Sequence, residues 1–411
     1  MTAEIMSVGT ELLLGNIVDT NAAFLAQELA NLGVSVFRQT TVGDNHGRLV
    51  QALENAFENA DMVIISGGLG PTLDDITKAA AAEVFGRGMY LHEESMERIR
   101  ERFAILGRGL YHGAERNTLI PEGSHVLPND HGSAPGVVVT SDCGKKTIIM
   151  LPGPPSEMIP MFTNYVVPYL QAQSDRVFVS RTLKIVGMGE SQVEERLLDL
   201  IEAQTNPTIA PYAKIAEVHV RITASAVTEA EAEAMLVPLE GLICERLSPH
   251  VYSNNGDSLA EVVVARLLEK GETLAVAESC TGGMITSAVV SVSGCSAVLT
   301  EGLCTYSNEA KVNRLGVSQE LLVAHGAVSA EVAAAMAEGV ARTSGASIGV
   351  ATTGVAGPDG GTDEKPVGLV YIGIFANGKT ETMRYNVIGS RNEIRQRATN
   401  NALDLVRRKL I

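Results

Sequence analysis

Ser279 lies in the run Ala277-Glu278-Ser279-Cys280-Thr281-Gly282-Gly283. The run follows the apolar segment Thr273–Ala277 and opens a predicted helix from Gly282 to Val292. A hydroxyl on a strand-to-helix turn stands clear of the sheet beside backbone N–H groups, a geometry for a nucleophile or an anion contact. Downstream, Thr305-Tyr306-Ser307-Asn308-Glu309-Ala310-Lys311 offers a tyrosine and a lysine. A neutral lysine can take a serine proton, so Ser279 with Lys311 would make a pair for acyl chemistry at an amide. Tyr306 would relay a proton or donate to the oxyanion, and the turn N–H groups after Ser279 would form its hole. Thr281, Gly282, Ser296, Thr353 and Arg391 or Arg395 complete the candidate set. The loop Gly354–Gly361, with Gly354 and Gly357, suits a phosphate, to which an arginine adds a bidentate charge. No histidine of this region is placed for a Ser/His/Asp triad; His325 simply precedes Gly326 in a loop. The plainer alternatives are that Ser279 caps a helix and that Lys311 is a surface lysine.

The N-terminal third carries a second constellation, Ser66-Gly67-Gly68-Leu69-Gly70-Pro71-Thr72-Leu73-Asp74-Asp75, between an apolar strand and a helix. Gly67, Gly68 and Gly70 let backbone approach a ligand, and the helix start beyond Thr72 favours phosphate. Asp75 could hold a metal ion or orient water. The plainer alternative is a turn in which Asp74 caps the helix and Asp75 answers its dipole. Gly9–Glu11, Asp19–Asn21, Asp44-Asn45, Gly132–Gly136 and Leu151–Met158, which includes Ser156, are expected at the same sheet edge.

The elements that must position these residues are of α/β type. Ile5–Val8, Val34–Phe37, Met62–Ser66 and Thr147–Leu151 read as strands, separated by helices Asn21–Leu32 (Thr20 as cap), Gly47–Asn59 and Asp74–Phe85. This alternation predicts a parallel sheet over residues 1–172. Residues 173–254 read as a small α+β module. Its expected strands are Arg181–Val186, Thr208–Ala210 and Glu217–Ala224, and its expected helices Glu190–Glu202 and Glu229–Leu247. Residues 255–411 form a third, α/β unit, with Leu299–Tyr306 and Ser347–Thr353 as further strands. Gly368–Phe375 and Glu381–Val387 read as an antiparallel pair. Ser329 is a possible cap, and Ser390-Arg391-Asn392-Glu393 is a capping box for the last helix. The Gly187-Met188-Gly189 run reads as a simple turn.

Composition narrows the function classes. The 411 residues are too many for one core, and the net charge is −16 without a basic stripe, so direct nucleic-acid contact is not expected. Five cysteines without a C-x-x-C pair point to a reducing, cytoplasmic setting rather than to disulfides or zinc. Neither a signal peptide nor a membrane span is expected.

Together and in this order, Gly9–Leu13, Ser66–Asp75, Leu151–Met158, Glu278–Gly283, Thr305–Lys311 and Thr353–Pro358 resemble the competence/damage-inducible CinA family. The resemblance covers nearly the whole chain. It implies an N-terminal fold similar to the molybdopterin-binding domain of molybdenum-cofactor biosynthesis proteins. It also implies a C-terminal amidohydrolase that converts nicotinamide mononucleotide to nicotinate mononucleotide and ammonia without a cofactor. By that resemblance Ser279 is the nucleophile and Lys311 the base, with Ser296 as the other candidate nucleophile. Tyr306, Thr353 and an arginine of the last helix would assist or bind substrate. The N-terminal domain is implied to hydrolyse ADP-ribose with a divalent metal at Asp44 and Asp75. The protein is implied to be a homodimer. A different class remains open at this point: a nucleotide- or pterin-binding adaptor in competence or DNA damage, with vestigial catalysis.

Overall fold

The computed structural model describes residues 1–105, 107, 109–110 and 113–410. The chain divides into two compact units, Met1–Val179 with Ser225–Glu233, and Ser180–Ala224 with Ala234–Ile411.

In the first unit the strands lie in the order Ser35–Val42, Thr2–Val8, Met62–Ser66, Thr147–Leu151, Gly136–Thr140 and His125–Leu127. The first four run parallel. The last two are antiparallel additions, so the sheet is mixed where a parallel one was expected. Every residue of Met62–Ser66 is buried, as befits a central strand covered on both faces. One face packs on Leu25, Leu29 and Phe162, the other on Leu49, Leu53 and Ala81. The helix after the glycine-rich turn begins at Thr77, not Asp74. Asp75 folds back to accept hydrogen bonds from Thr72 N and Oγ1, at 2.8 and 2.6 Å, and so closes a turn that delays the helix. Asp19, not Thr20, caps the second helix, accepting from Ala22 N at 2.9 Å.

Two further sheets follow in the chain. The smaller has four strands in the order Thr208–Lys214, Glu217–Ala226, Val177–Ile185 and Val251–Ser253, with helices Glu190–Glu202 and Glu229–Leu247 between them in sequence. This is a βαββαβ chain order with the first strand paired to the last and the third rather than to the second. The larger sheet runs Leu299–Cys304, Leu274–Glu278, Ile348–Gly354, Leu369–Ala376 and Lys379–Asn386. Its first three strands are parallel and its last two pair antiparallel. Leu274 and Val276 face a core with Val263, Ile285 and Ile394, while Ala275 and Ala277 face one with Leu315, Met336 and Val340. The period-2 alternation thus serves two helical layers. The final helix carries the expected capping box, with Ser390 N donating to Glu393 Oε2 at 2.7 Å. Ser329 caps its helix as expected.

Candidate active site

Strand Leu274–Glu278 is flanked by Leu299–Cys304, which follows it in sequence, and by Ile348–Gly354 on its other side. Successive connections therefore leave the central strand toward opposite edges. The crevice at such a switch point, beyond the carboxyl ends of the strands, is where open α/β sheets bind ligands. Ser279, the Thr305–Lys311 segment and the Thr353–Gly354 strand end all issue from that edge.

Ser279 is not a helix cap. Its N–H donates to Thr352 O at 3.0 Å, continuing the strand by one residue. The following helix is Met284–Val290, shorter than expected, with Gly282 and Gly283 in left-handed conformation before it. Its cap comes from Glu278, a residue that sequence reasoning left without a role. The Glu278 side chain is fully buried. Its Oε2 accepts from Gly283 N at 2.9 Å and Ile285 N at 3.1 Å; its Oε1 accepts from Thr286 N at 2.9 Å and Oγ1 at 2.7 Å. A carboxylate can lie this deep because four donors replace its water. The signal in the sequence is an acidic residue closing an otherwise apolar strand just before a hydroxyl and a Gly-Gly pair.

Lys311 lies in helix Asn308–Leu315, capped by Ser307, and only 1% of it is exposed. It is therefore not a surface lysine. Its Nζ donates to Ser279 Oγ at 3.1 Å, to Thr305 O at 2.9 Å and to Tyr306 O at 3.1 Å. All three partners are neutral. Burial lowers the lysine pKa from its ordinary value, and the neighbouring thiols of Cys280 and Cys304 oppose the shift. A lysine so placed is prepared to give up its proton and to receive the one on Ser279. Burial pushes the Cys280 thiol up to about 11, which keeps it protonated beside the pair.

Tyr306 contributes its carbonyl to the lysine, while 64% of the residue is exposed. Thr281 Oγ1 bonds Thr352 Oγ1 at 2.8 Å, and its carbonyl accepts from Arg395 Nε and Nη2 at 3.3 and 2.8 Å. Arg395 thus braces the turn that carries Ser279. Arg391 Nη1 donates to Gly357 O at 2.6 Å, which ties the last helix to the glycine-rich loop. Thr353 Oγ1 donates to Ala327 O at 2.7 Å. Gly354 is forced by packing, since a Cβ there would lie 2.6 Å from Leu369 O. Ser296 sits exposed on the short helical turn Cys295–Ala297 and is not among the hydrogen-bond partners of Lys311 given above.

In the first unit, Glu11, Asp19, Thr20, Asn21, Ser66, Gly153 and Pro154 line one cleft of 330 Å³ at the carboxyl edge of the sheet. Asn21 Nδ2 donates to Ser66 Oγ and Gly153 O, both at 2.7 Å. Gly67 and Gly68 are left-handed, and a Cβ on either would strike Val8 O or Thr77 Oγ1 at 2.2 Å. A Cβ on Gly70 would meet the Asp75 carboxylate at 2.7 Å. Ser156 is exposed in helix Pro155–Met161. Asp44 accepts from Thr10 N at 2.9 Å through one oxygen. Among the described residues no group of three His, Cys, Asp or Glu converges as metal ligands. Asp44 and Asp75 make these contacts through one carboxylate oxygen each, and carboxylate oxygen is the donor type a hard divalent cation takes. Lys78, which sequence reasoning missed, is buried behind this turn; its Nζ donates to Arg116 O at 3.1 Å and Asn117 O at 2.7 Å.

Among the described residues no helix is long and apolar enough to cross a membrane. Three family models match the chain. They are "Probable molybdopterin binding domain" over residues 4–172, "Damage-inducible protein CinA KH domain" over 180–253 and "CinA C-terminal domain" over 256–410. A CinA-like protein of Dictyoglomus turgidum is 51% identical over 411 residues, covering 100% of both chains. A CinA-like protein of Kosmotoga olearia is 50% identical over 100% of this chain and 99% of its own. The crystal structure of the competence/damage inducible protein CihA from Agrobacterium tumefaciens matches 36% of this chain and 94% of its own, at 40% identity and a TM-score of 0.35. With full-length relatives at half identity and all three models in order, the chain belongs to the CinA family.

Proposed function

We propose that the C-terminal domain is a serine amidohydrolase acting on nicotinamide mononucleotide. The observation that carries this reading is the 3.1 Å contact between Lys311 Nζ and Ser279 Oγ, with the lysine otherwise held by neutral carbonyls. Neutral Lys311 takes the Ser279 proton as Oγ attacks the carboxamide carbon. The tetrahedral oxyanion rests on turn N–H groups. The N–H groups of Ser279 and Gly283 are engaged by Thr352 and Glu278, so Cys280, Thr281 and Gly282 supply the remaining donors. Collapse breaks the C–N bond, and the lysine proton goes to the departing nitrogen, which leaves as ammonia. Water then gives a proton to Lys311 while its oxygen attacks the acyl-enzyme, releasing the carboxylate and restoring Ser279. Arg391 and Arg395 each commit part of a guanidinium to a carbonyl and keep the rest for the substrate phosphate.

For the N-terminal domain the proposal is cleavage of the ADP-ribose pyrophosphate, with Gly67–Thr72 under the phosphates. Asp44 and Asp75 would hold a divalent ion, which supplies charge neutralisation at the phosphates. Homodimerisation and a cytoplasmic setting belong to the same proposal. The decisive experiment is ammonia release from nicotinamide mononucleotide by the full chain, by Ser279→Ala and by Lys311→Met. Loss of roughly 10⁴-fold or more in both variants supports the dyad, as expected of groups acting as a unit. Full turnover in either variant removes that residue from the mechanism.

A further inference from the structure

The loop over residues 128–135 walls a cavity of 600 Å³ in the first unit, outside the cleft described above. Its place in the sheet follows from register. Leu127 pairs with Gly136, Val137 with Met150, and Ser66 with Leu151. The loop therefore leaves the sheet at the same carboxyl edge as Ser66, the edge where open α/β sheets bind ligands. The volume lies within the roughly 300–1,000 Å³ usual for small-molecule sites.

The wall is held by its own hydrogen bonds. Asn129 Oδ1 accepts from His131 N at 3.0 Å and Gly132 N at 2.6 Å, and its Nδ2 donates to Ala134 O at 2.8 Å. Arg102, in helix Glu93–Ile105, donates to the carbonyls of Asp130, His131 and Gly132 at 3.3, 2.6 and 3.1 Å. Arg98 Nη2 pairs with Asp130 Oδ1 at 2.6 Å. Both arginines of the lining are thus engaged within the wall. Glu94 and Glu101, also of the lining, are exposed carboxylates. A phosphate would find each fixed cation already engaged and two anions nearby.

Three rings line the same space, those of Tyr90, His92 and His125. Tyr90 and His92 meet edge to face with centroids 6.2 Å apart. His125 is exposed and stacks on Tyr169 at 6.0 Å. His92 precedes helix Glu93–Ile105, and its Nδ1 accepts from Ser95 N at 3.2 Å. A backbone N–H can only donate, so the ring proton lies on Nε2, which is a donor. Ile99, Val126, Pro128 and Pro135 add apolar surface. Ser124, on the same wall, buries a hydroxyl that has no partner among the described residues. Rings, apolar wall and neutral polar groups together suit a flat heteroaromatic base with a polar edge.

We infer that this cavity is the purine subsite of the N-terminal domain. The base lies against Tyr90 and His125, and His92 Nε2 donates to a ring nitrogen. The inference rests on the nucleotide reading of that domain and deepens it by giving the base a place.

The test is calorimetric titration of the full chain with adenosine, which carries no phosphate. Tyr90→Ala removes an exposed ring. His92→Asn removes the imidazole and keeps an acceptor for Ser95 N. Each is expected to weaken adenosine about three- to tenfold, the worth of one aromatic contact, and to leave inorganic pyrophosphate affinity unchanged. The two variants lie on separate elements, so one that does not fold leaves the other to decide. Adenosine affinity equal in wild type and both variants overturns the inference, as does an equal loss for pyrophosphate. A wild type that binds a free pterin but not adenosine overturns it too. A wild type that cleaves ADP-ribose without binding adenosine removes the subsite alone. One that neither binds adenosine nor cleaves ADP-ribose removes the nucleotide reading with it.

Discussion

Replacing Glu278 by glutamine should unseat Ser279, the proposed nucleophile, without touching it. The carboxylate accepts from Gly283 N and Ile285 N on one oxygen and from Thr286 N and Oγ1 on the other. Glutamine keeps one oxygen and turns an NH2 toward two donors. The cheaper orientation sets that NH2 against Thr286, whose hydroxyl can rotate to accept but whose N–H cannot. One buried N–H is then orphaned at about 1–3 kcal/mol, and the bonds that survive lose their charge assistance, about 1 kcal/mol more. A total near 3 kcal/mol corresponds to a drop of roughly 6–12 °C in the melting of a domain of this size. Ser279 is the next residue, and an error of about 1 Å in its position costs on the order of 10² in rate. Differential scanning calorimetry of the full chain and ammonia release measure both effects. A Glu278→Gln protein melting within about 2 °C of wild type would refute the four-bond account.

Three further outcomes follow from the geometry. If the proposed amidase mechanism holds, kcat/KM should rise with pH along a limb whose apparent pKa lies below the ordinary 10.5 of lysine, because Lys311 would have to be neutral to act as base. The sign is that of a buried lysine with a depressed folded pKa: burial strain is greatest at low pH and is relieved as pH rises toward the unfolded value. Ser296→Ala should keep turnover within about twofold, since this exposed residue lies outside the lysine hydrogen-bond set; a loss matching that of Ser279→Ala would reassign the nucleophile. Gly67→Ala should destabilise the N-terminal unit by at least about 1–3 kcal/mol, measured by denaturation. Its φ of 106° and the Val8 carbonyl 2.2 Å from the added Cβ both oppose a side chain.

What could be read in the sequence was what depends on local pattern. Ser279 could be placed because an apolar strand and a Gly-Gly pair bracket it, and the Ser390–Glu393 box because capping is a three-residue affair. Lys311 could be named as a candidate but not as a buried one, since its seat depends on a contact with Ser279, 32 residues away. Glu278 escaped notice for a similar reason: its four donors lie five to eight residues ahead, across a turn whose shape no propensity reports. Lys78 depends on a contact 39 residues away. In the antiparallel edge of the first sheet, His125–Leu127 has only three residues, too few for a period-2 pattern to register, while Gly136–Thr140 is a short apolar run whose strand direction no local pattern reports. The late start of helix Thr77–Val84 reflects Asp75 choosing Thr72 over the helix dipole.

The strand order of the C-terminal sheet has an evolutionary consequence. Ser279 and the segment bearing Lys311, the proposed nucleophile and base, follow the ends of two strands, Leu274–Glu278 and Leu299–Cys304, while the glycine-rich loop follows a third, Ile348–Gly354. On the proposed reading, proton transfer and substrate choice thus lie on separate stretches of chain. On the proposed amidase reading, substitutions in residues 355–367 would change which amide reaches Ser279 while the Ser279–Lys311 contact stays in place.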